Sequence, residues 1–252
     1  MRFLKKFLYA VVIFCPSLLL GQSHDPLLPL SAYRNVDNPY YWKSRPPFQG
    51  YWQQDIYYNI KAALNDSDDI ITGNLELTYW NNSPDTLTYV YFHLYQHAFQ
   101  PGSYLDNLTT ENNVKSVYSK HEKEKHGTVV DYVRVNEKDL TTELDNTILK
   151  VFLSKALLPN DSIKFSISFK TYYGSGSQRR RMKMFDAWGF KHYDIVHWYP
   201  RISVYDRKFG WTADQHLGKE FYGDYGAYDV EFTFPSQYVL DATGNLLNRN
   251  EV

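Results

Sequence analysis

The sequence predicts an all-β or β-rich fold, and three observations carry that prediction. Aromatic residues make up 17% of the 252, with 23 Tyr and 6 Trp, and rings pack well on a pleated, half-buried surface. Six segments alternate apolar and polar residues with period two, so each sends alternate side chains to opposite faces of a sheet. Between them lie clusters of Asn, Asp, Ser, Pro and Gly, the residues that tolerate tight turns. The spacing is that of consecutive strands in antiparallel or mixed sheets.

In chain order, residues 23–50 are rich in Pro, Asn and Ser, hold "RPPFQG", and read as an extended lead-in. The domain spans 51–252. Its strands are expected at 55–64, 70–80, 86–95, 128–136, 147–154 and 162–173, with turns at 65–69, 81–86, 158–162 and 174–178. The polar run 103–127 reads as an excursion between strands, and no segment has the pattern of a long amphipathic helix. After the glycine-rich 174–178 come "DIVHWYPRISVYD" (194–206), a loop-like run through 218–226, and a last extended stretch over 227–244. No internal repeat is present.

Residues 1–22 read as a secretory signal: Arg2, Lys5 and Lys6 precede the apolar run 7–20, which ends near Gly21. Fourteen residues are short for a bilayer span, which disfavours an uncleaved anchor. Nothing after Gln22 reads as transmembrane, so a secreted or periplasmic protein with no stable membrane span is expected. Cleavage would take three of the 27 Lys and Arg, leaving 24 against 28 Asp and Glu. That balance argues against nucleic acid as a partner. The single cysteine, Cys15, lies inside the signal, so disulfides and thiolate chemistry are excluded from the mature chain.

Several residues invite a chemical reading. His93 and His97 have the i, i+4 spacing of a helical zinc motif, but Leu94 stands where the general-base glutamate would be. On a strand the two would lie about 13 Å apart, too far to share one ion. His121 and His126, with Glu122 and Glu124, could hold a surface metal weakly, although the simpler reading is a solvated charge run. His192 and His197 bracket "YDIV" beside Trp198 and Tyr199, which suits a cleft and equally suits a strand entering the core. "QRRRMKM" (178–184) could attract phosphate or an acidic surface, and following "GSGS" it reads more simply as a mobile, solvated loop. Carboxylate pairs such as Asp68 and Asp69, or Asp224 and Asp229, carry no sign of desolvation. No G-x-S-x-G elbow, P-loop or dinucleotide fingerprint occurs.

Three runs together, "NNSPDTLTYVYFHLYQHAFQPGS" (81–103), "HWYPRISVYDRKFGWTADQHLGKEFYGDYGAYDVEFTFP" (197–235) and "YVLDATGNLLN" (238–248), resemble the amino-terminal β-domain of secreted bacterial members of the aminopeptidase N and leukotriene hydrolase family of zinc metallopeptidases. The resemblance covers about residues 51–249. It implies a twisted, saddle-like β-domain packed against a largely helical catalytic domain that carries H-E-x-x-H, a third glutamate ligand and the zinc. None of those motifs occurs here, so the resemblance implies no catalytic residue, no metal ligand and no cofactor in this chain. Trp198, Tyr199, Pro200 and Asp206 match the family's aromatic–proline–aspartate signature, and His197 adjoins it. His197, Trp198, Tyr199 and Asp206 are accordingly expected to border the substrate cleft. The glutamate or glutamine and the A-R pair that typical members place just before the signature are missing from "KHYDIVHWYP".

The expectation is therefore a non-catalytic amino-terminal domain, truncated or split from its metallopeptidase, forming one wall of a peptide cleft and presenting an apolar, aromatic sheet face to a catalytic domain or its separately encoded equivalent. Its rivals are a free-standing secreted β-module that binds carbohydrate or protein through Trp52, Trp80, Trp188 and Trp211, and a small hydrolase using carboxylates or His197.

Overall fold

The computed structural model describes residues 49–218 and 222–248. The chain divides into Met1–Gln49 and Gly50–Val252. The signal reading of 1–22 and nearly all of the 23–50 lead-in lie outside the described residues.

Strands β1 (Asp55–Asn65), β2 (Ile70–Trp80) and β8 (Ser162–Tyr172) form the centre of a six-stranded sheet. Alternation does what the sequence predicts. Ile56, Tyr58, Ile60, Ala62 and Leu64 of β1, Ile71, Leu75, Leu77 and Tyr79 of β2, and Phe165, Ile167 and Phe169 of β8 all point into one core. β4 (Thr128–Val135) and the short β5 (Lys138–Asp139) extend one edge, and β14 (Gly226–Thr233) forms the other. β14 runs parallel to β1 while the remaining pairs are antiparallel, so the sheet is mixed. Gly73 sits opposite Phe169 in the register. A Cβ there would overlap the Phe169 ring, so the glycine is what lets the ring lie flat over β2.

A second, four-stranded antiparallel sheet orders β11 (Arg201–Ile202), β3 (Leu87–His93), β7 (Ile148–Leu157) and β6 (Thr142–Asp145). Val90 and Phe92 of β3 and Leu149 and Val151 of β7 join the same core, and Phe92 meets Phe165 of the large sheet edge-on at 5.7 Å. Two hairpins complete the strands: β9 (Met182–Ala187) with β10 (Phe190–Ile195), and β12 (Tyr205–Asp206) with β13 (Gly210–Trp211). The all-β expectation holds, with antiparallel and mixed sheets.

The departures have local causes. The strand expected over 86–95 stops at His93, and Tyr95–Phe99 winds into a 3₁₀ turn. There the side chains of Gln96 and His97 bond to backbone carbonyls of Val196, His197 and Thr128, replacing ladder bonds. His93 and His97 therefore do not share a strand. The excursion 103–127 holds two short helices, α1 (Tyr104–Glu111), capped by the Ser103 hydroxyl on the Asp106 N–H, and α2 (Lys120–Lys123). The last extended stretch is shorter than expected, ending at Thr233 just before Pro235, which has no N–H to donate.

The outer face of the large sheet is polar over its central strands: Lys61 pairs with Glu231, Lys164 with Glu76, and the Tyr57 hydroxyl donates to Asp229. This corrects the expectation of an apolar, aromatic face there. Uncovered apolar side chains lie instead along β14 and after it.

Candidate functional site

The signature segment crosses from one sheet to the other. His197 lies in the left-handed region (φ 53), which turns the chain after β10. The Trp198 carbonyl accepts the Thr171 hydroxyl at 2.7 Å, and its ring packs on Phe169 and Phe232. Tyr199 packs edge-on against Tyr58 at 5.4 Å and reaches the Tyr228 hydroxyl at 3.5 Å. The Ile202 N–H then donates to the buried Tyr58 hydroxyl at 2.9 Å, and Ser203 N–H to Tyr91 O at 2.8 Å. Trp198 and Tyr199 are thus half-buried rings packed on the large sheet, while the Ile202 and Ser203 N–H groups tie the segment to both sheets. Asp206 is buried: one carboxylate oxygen accepts the N–H groups of Lys208 and Phe209, closing the β12–β13 turn, and the other accepts the Tyr222 hydroxyl.

Of the four expected residues, His197 and Tyr199 lie among the titratable groups around Arg201, and Asp206 reaches that cluster through Asp224. Pairing of β11 with β3 sets Arg201 opposite His93. The Tyr95 ring stacks on His93 at 4.9 Å and meets His197 at 4.1 Å and His216 at 5.5 Å. Burial, with the Arg201 charge next, pushes His93 down to about 4 and His197 down to about 3. Burial, then Arg180, pushes His216 to about 4. All three imidazoles are neutral at pH 7. Burial opposes the Arg201 charge, but Tyr95, Tyr199, Tyr58 and Tyr228 outweigh it and its pKa is raised.

Arg201 lies against Gly223, where a Cβ would overlap the guanidinium. Asp224 follows, and burial, then the Asp206 carboxylate, pushes its carboxyl up to about 7 against the pull of Arg201. The pair suggested by the sequence, Asp224 with Asp229, is not the pair that forms. Asp229 is on the exposed side of β14, bonded to Tyr57. Sequence reading also missed Tyr95, Arg201 and His216. A lone Arg inside "WYPRISV" was the one signal available.

Each of the two charge runs, otherwise mostly exposed, buries one charge. Arg179 of the basic cluster has a fully buried side chain, and its partner is Glu122 of the "HEKEKH" run. Arg179 Nη1 also donates to Gln96 Oε1 at 2.6 Å and Met182 O at 3.2 Å. Glu122 accepts Ser119 N–H at 2.7 Å and Gly176 N–H at 3.3 Å. The "GSGS" loop is therefore wrapped around a carboxylate. Arg180 and Arg181 remain exposed, beside a cavity of about 240 Å³ that His216 and Phe99 also line. His192 is exposed and paired with Asp194 at 3.0 Å. Trp188 stands 97% exposed at the β9–β10 tip, whereas Trp52 and Trp211 pack half-buried on Tyr205.

No protein-family model and no curated protein matches the chain. Among solved structures it is similar to a two-domain M1 zinc metallopeptidase, a mutant bound to L-tryptophan, at 11% identity and a TM-score of 0.32, over 48% of this chain and 21% of that one. An M1 zinc metallopeptidase from Deinococcus radiodurans matches at 11% identity and a TM-score of 0.30, over 50% of this chain and 21% of that one. The chain spans about a fifth of the length of those proteins. No helix among the described residues is long and apolar enough to cross a membrane.

Proposed function

We propose that this chain is a non-catalytic β-domain of a zinc metallopeptidase of the aminopeptidase N type, that it packs along β14 and the segment after it against a separate catalytic domain, and that it forms one wall of the peptide cleft. The observation that carries this reading is the uncovered apolar edge. β14 is exposed on both faces, including Tyr228 and Val230, and beyond it Val239 is 98% and Leu247 89% exposed, with Leu240 and Leu246 also open to water. Each such side chain forgoes about 1.5–3 kcal/mol of burial, so a covering surface would be strongly favoured. Support for a metallopeptidase partner comes from the sequence runs around the signature, and half-buried Arg201 and Asp224 supply polar groups beside β14. Zinc would belong to the partner domain, and the leader-like residues 1–22 support a place outside the cytoplasm.

The test is whether the edge behaves as an unfilled interface. The full chain is expected to bind an apolar-sensing dye and to self-associate, and Val230→Ser, Val239→Ser and Leu247→Ser together should reduce both without lowering the strand content. A monomer with negligible dye binding before any substitution would count against the proposal.

A further inference from the structure

Two imidazoles and a carboxylate converge at the end of α2, away from the Arg201 cluster. The sequence "SKHEKEKH" (119–126) produces this by backbone chemistry. Ser119 and Glu122 form a capping box that starts the helix. Lys125 then enters the left-handed region (φ 58), with His126 N–H bonded to His121 O at 2.8 Å and Lys125 N–H to Glu122 O at 3.0 Å. That pair of bonds is a Schellman closure. It folds His126 back toward the face from which His121 and Glu124, three residues apart, both project.

One ligand atom from each of His121, Glu124 and His126 lies within 4.8 Å of the others. The Glu124 oxygen is 3.4 Å from His126 Nδ1 and 4.0 Å from His121 Nδ1. Donors on a tetrahedral ion with bonds of about 2.0–2.1 Å stand about 3.3 Å apart. One edge of such a site is already formed, and small rotations of the partly exposed Glu124 and His126 close the rest.

The tautomer of His121 is set from outside. Its Nε2 lies 2.7 Å from Asp68 O, a carbonyl that can only accept, so Nε2 carries the proton and Nδ1 presents a lone pair. Neither Nδ1 has a hydrogen-bond partner among the described residues, although both are shielded from water. Tyr172 stacks on His126 at 4.4 Å and meets His121 edge-on at 5.2 Å, which holds both rings. Glu122 takes no part, being committed to Arg179.

We propose that His121, Glu124 and His126 bind one divalent transition-metal ion of the zinc class, with water in the open position. Two imidazole nitrogens suit zinc, cobalt, nickel or copper and do not suit magnesium or calcium, which take oxygen ligands. The sequence offers a weak surface metal at His121, His126, Glu122 and Glu124 as the lesser alternative to a solvated charge run; the structure removes Glu122 from that set and joins the other three.

The experiment is calorimetric titration of the tag-free full chain with Zn²⁺, and titration with Co²⁺ read by its visible spectrum. One equivalent should bind, Co²⁺ should give the d–d bands of a nitrogen and oxygen site, and Glu124→Gln and His126→Ala should each weaken binding by more than about tenfold. Both side chains are partly exposed, so thermal unfolding of the metal-free variants should match the parent, whereas His121→Ala would disturb packing and is avoided. His192→Ala, at an exposed hairpin position, should leave affinity unchanged. Absence of stoichiometric binding, or binding that survives both Glu124→Gln and His126→Ala, overturns the proposal.

Discussion

Glu122→Ala is expected to destabilise the fold by about 3–5 kcal/mol, because it leaves the Arg179 guanidinium buried without its counter-charge. The site has no slack to absorb the loss. Arg179 lies under the 174–178 loop, with Gln96 and Met182 O as its remaining close acceptors. The Glu122 oxygens also hold the N–H groups of Ser119 and Gly176, so α2 and the loop lose their common anchor together. Replacing both charges by methionine should cost less than the sum of the single changes, since no isolated charge remains. Burial alone would raise the Glu122 pKa, but Arg179 and the Ser119 bonds outweigh it and the net shift is downward. Its contribution is thus present above the unfolded carboxylate value and lost as pH falls through the folded one. Urea unfolding at neutral pH measures the effect. A loss below about 1 kcal/mol would return the loop to the solvated state that the sequence suggests.

The second large effect is acid instability. His93 and His216 are buried and held neutral near pKa 4, and His197 near 3, whereas an unfolded imidazole titrates near 6.5. The unfolded chain therefore binds protons that the folded chain refuses. Stability from these groups is complete above pH 6.5 and declines as pH falls toward 4, by about 1.4 kcal/mol per pH unit for each histidine. Asp224 acts in the opposite direction. With its folded pKa raised to about 7, its contribution is complete at low pH and is lost as pH rises through 7. Three histidines against one carboxyl leave a net loss on acidification. Unfolding free energies from urea titration at pH 7.5 and pH 5 should differ by several kcal/mol, and His93→Gln with His216→Gln should flatten the profile. A flat parent profile between those pH values would show the imidazoles to be open to water.

Much of the fold is legible in the sequence wherever one face of a strand is buried and the other wet. β1, β2 and β8 alternate strictly, and their bounds fall within a residue of expectation. The strand at 86–95 overran because "HLYQHAF" continues to look strand-like, while the decisive bonds, from Gln96 and His97 to carbonyls far along the chain, leave no local trace. The Glu122–Arg179 pair was hidden for the same reason. Fifty-seven residues separate the partners, and each sits in a run of charges that alone belongs in water. The glycines misled in an instructive way: Gly174 and Gly176 resemble a flexible linker, yet a Cβ on either would press on the Glu122 carboxylate. At the signature, the sequence singled out the segment but not its partners, since Arg201, Gly223 and Asp224 meet only through the tertiary fold.

Under the proposed function, the chain supplies a wall to a partner domain's cleft and performs no chemistry by itself. The most direct measurement is hydrolysis of aminoacyl reporter substrates by the purified full chain, metal-free and with one equivalent of zinc. The account predicts no turnover above buffer in either state, even if the ion is bound. Zinc-dependent hydrolysis that disappears in Asp224→Asn or His126→Ala would contradict it.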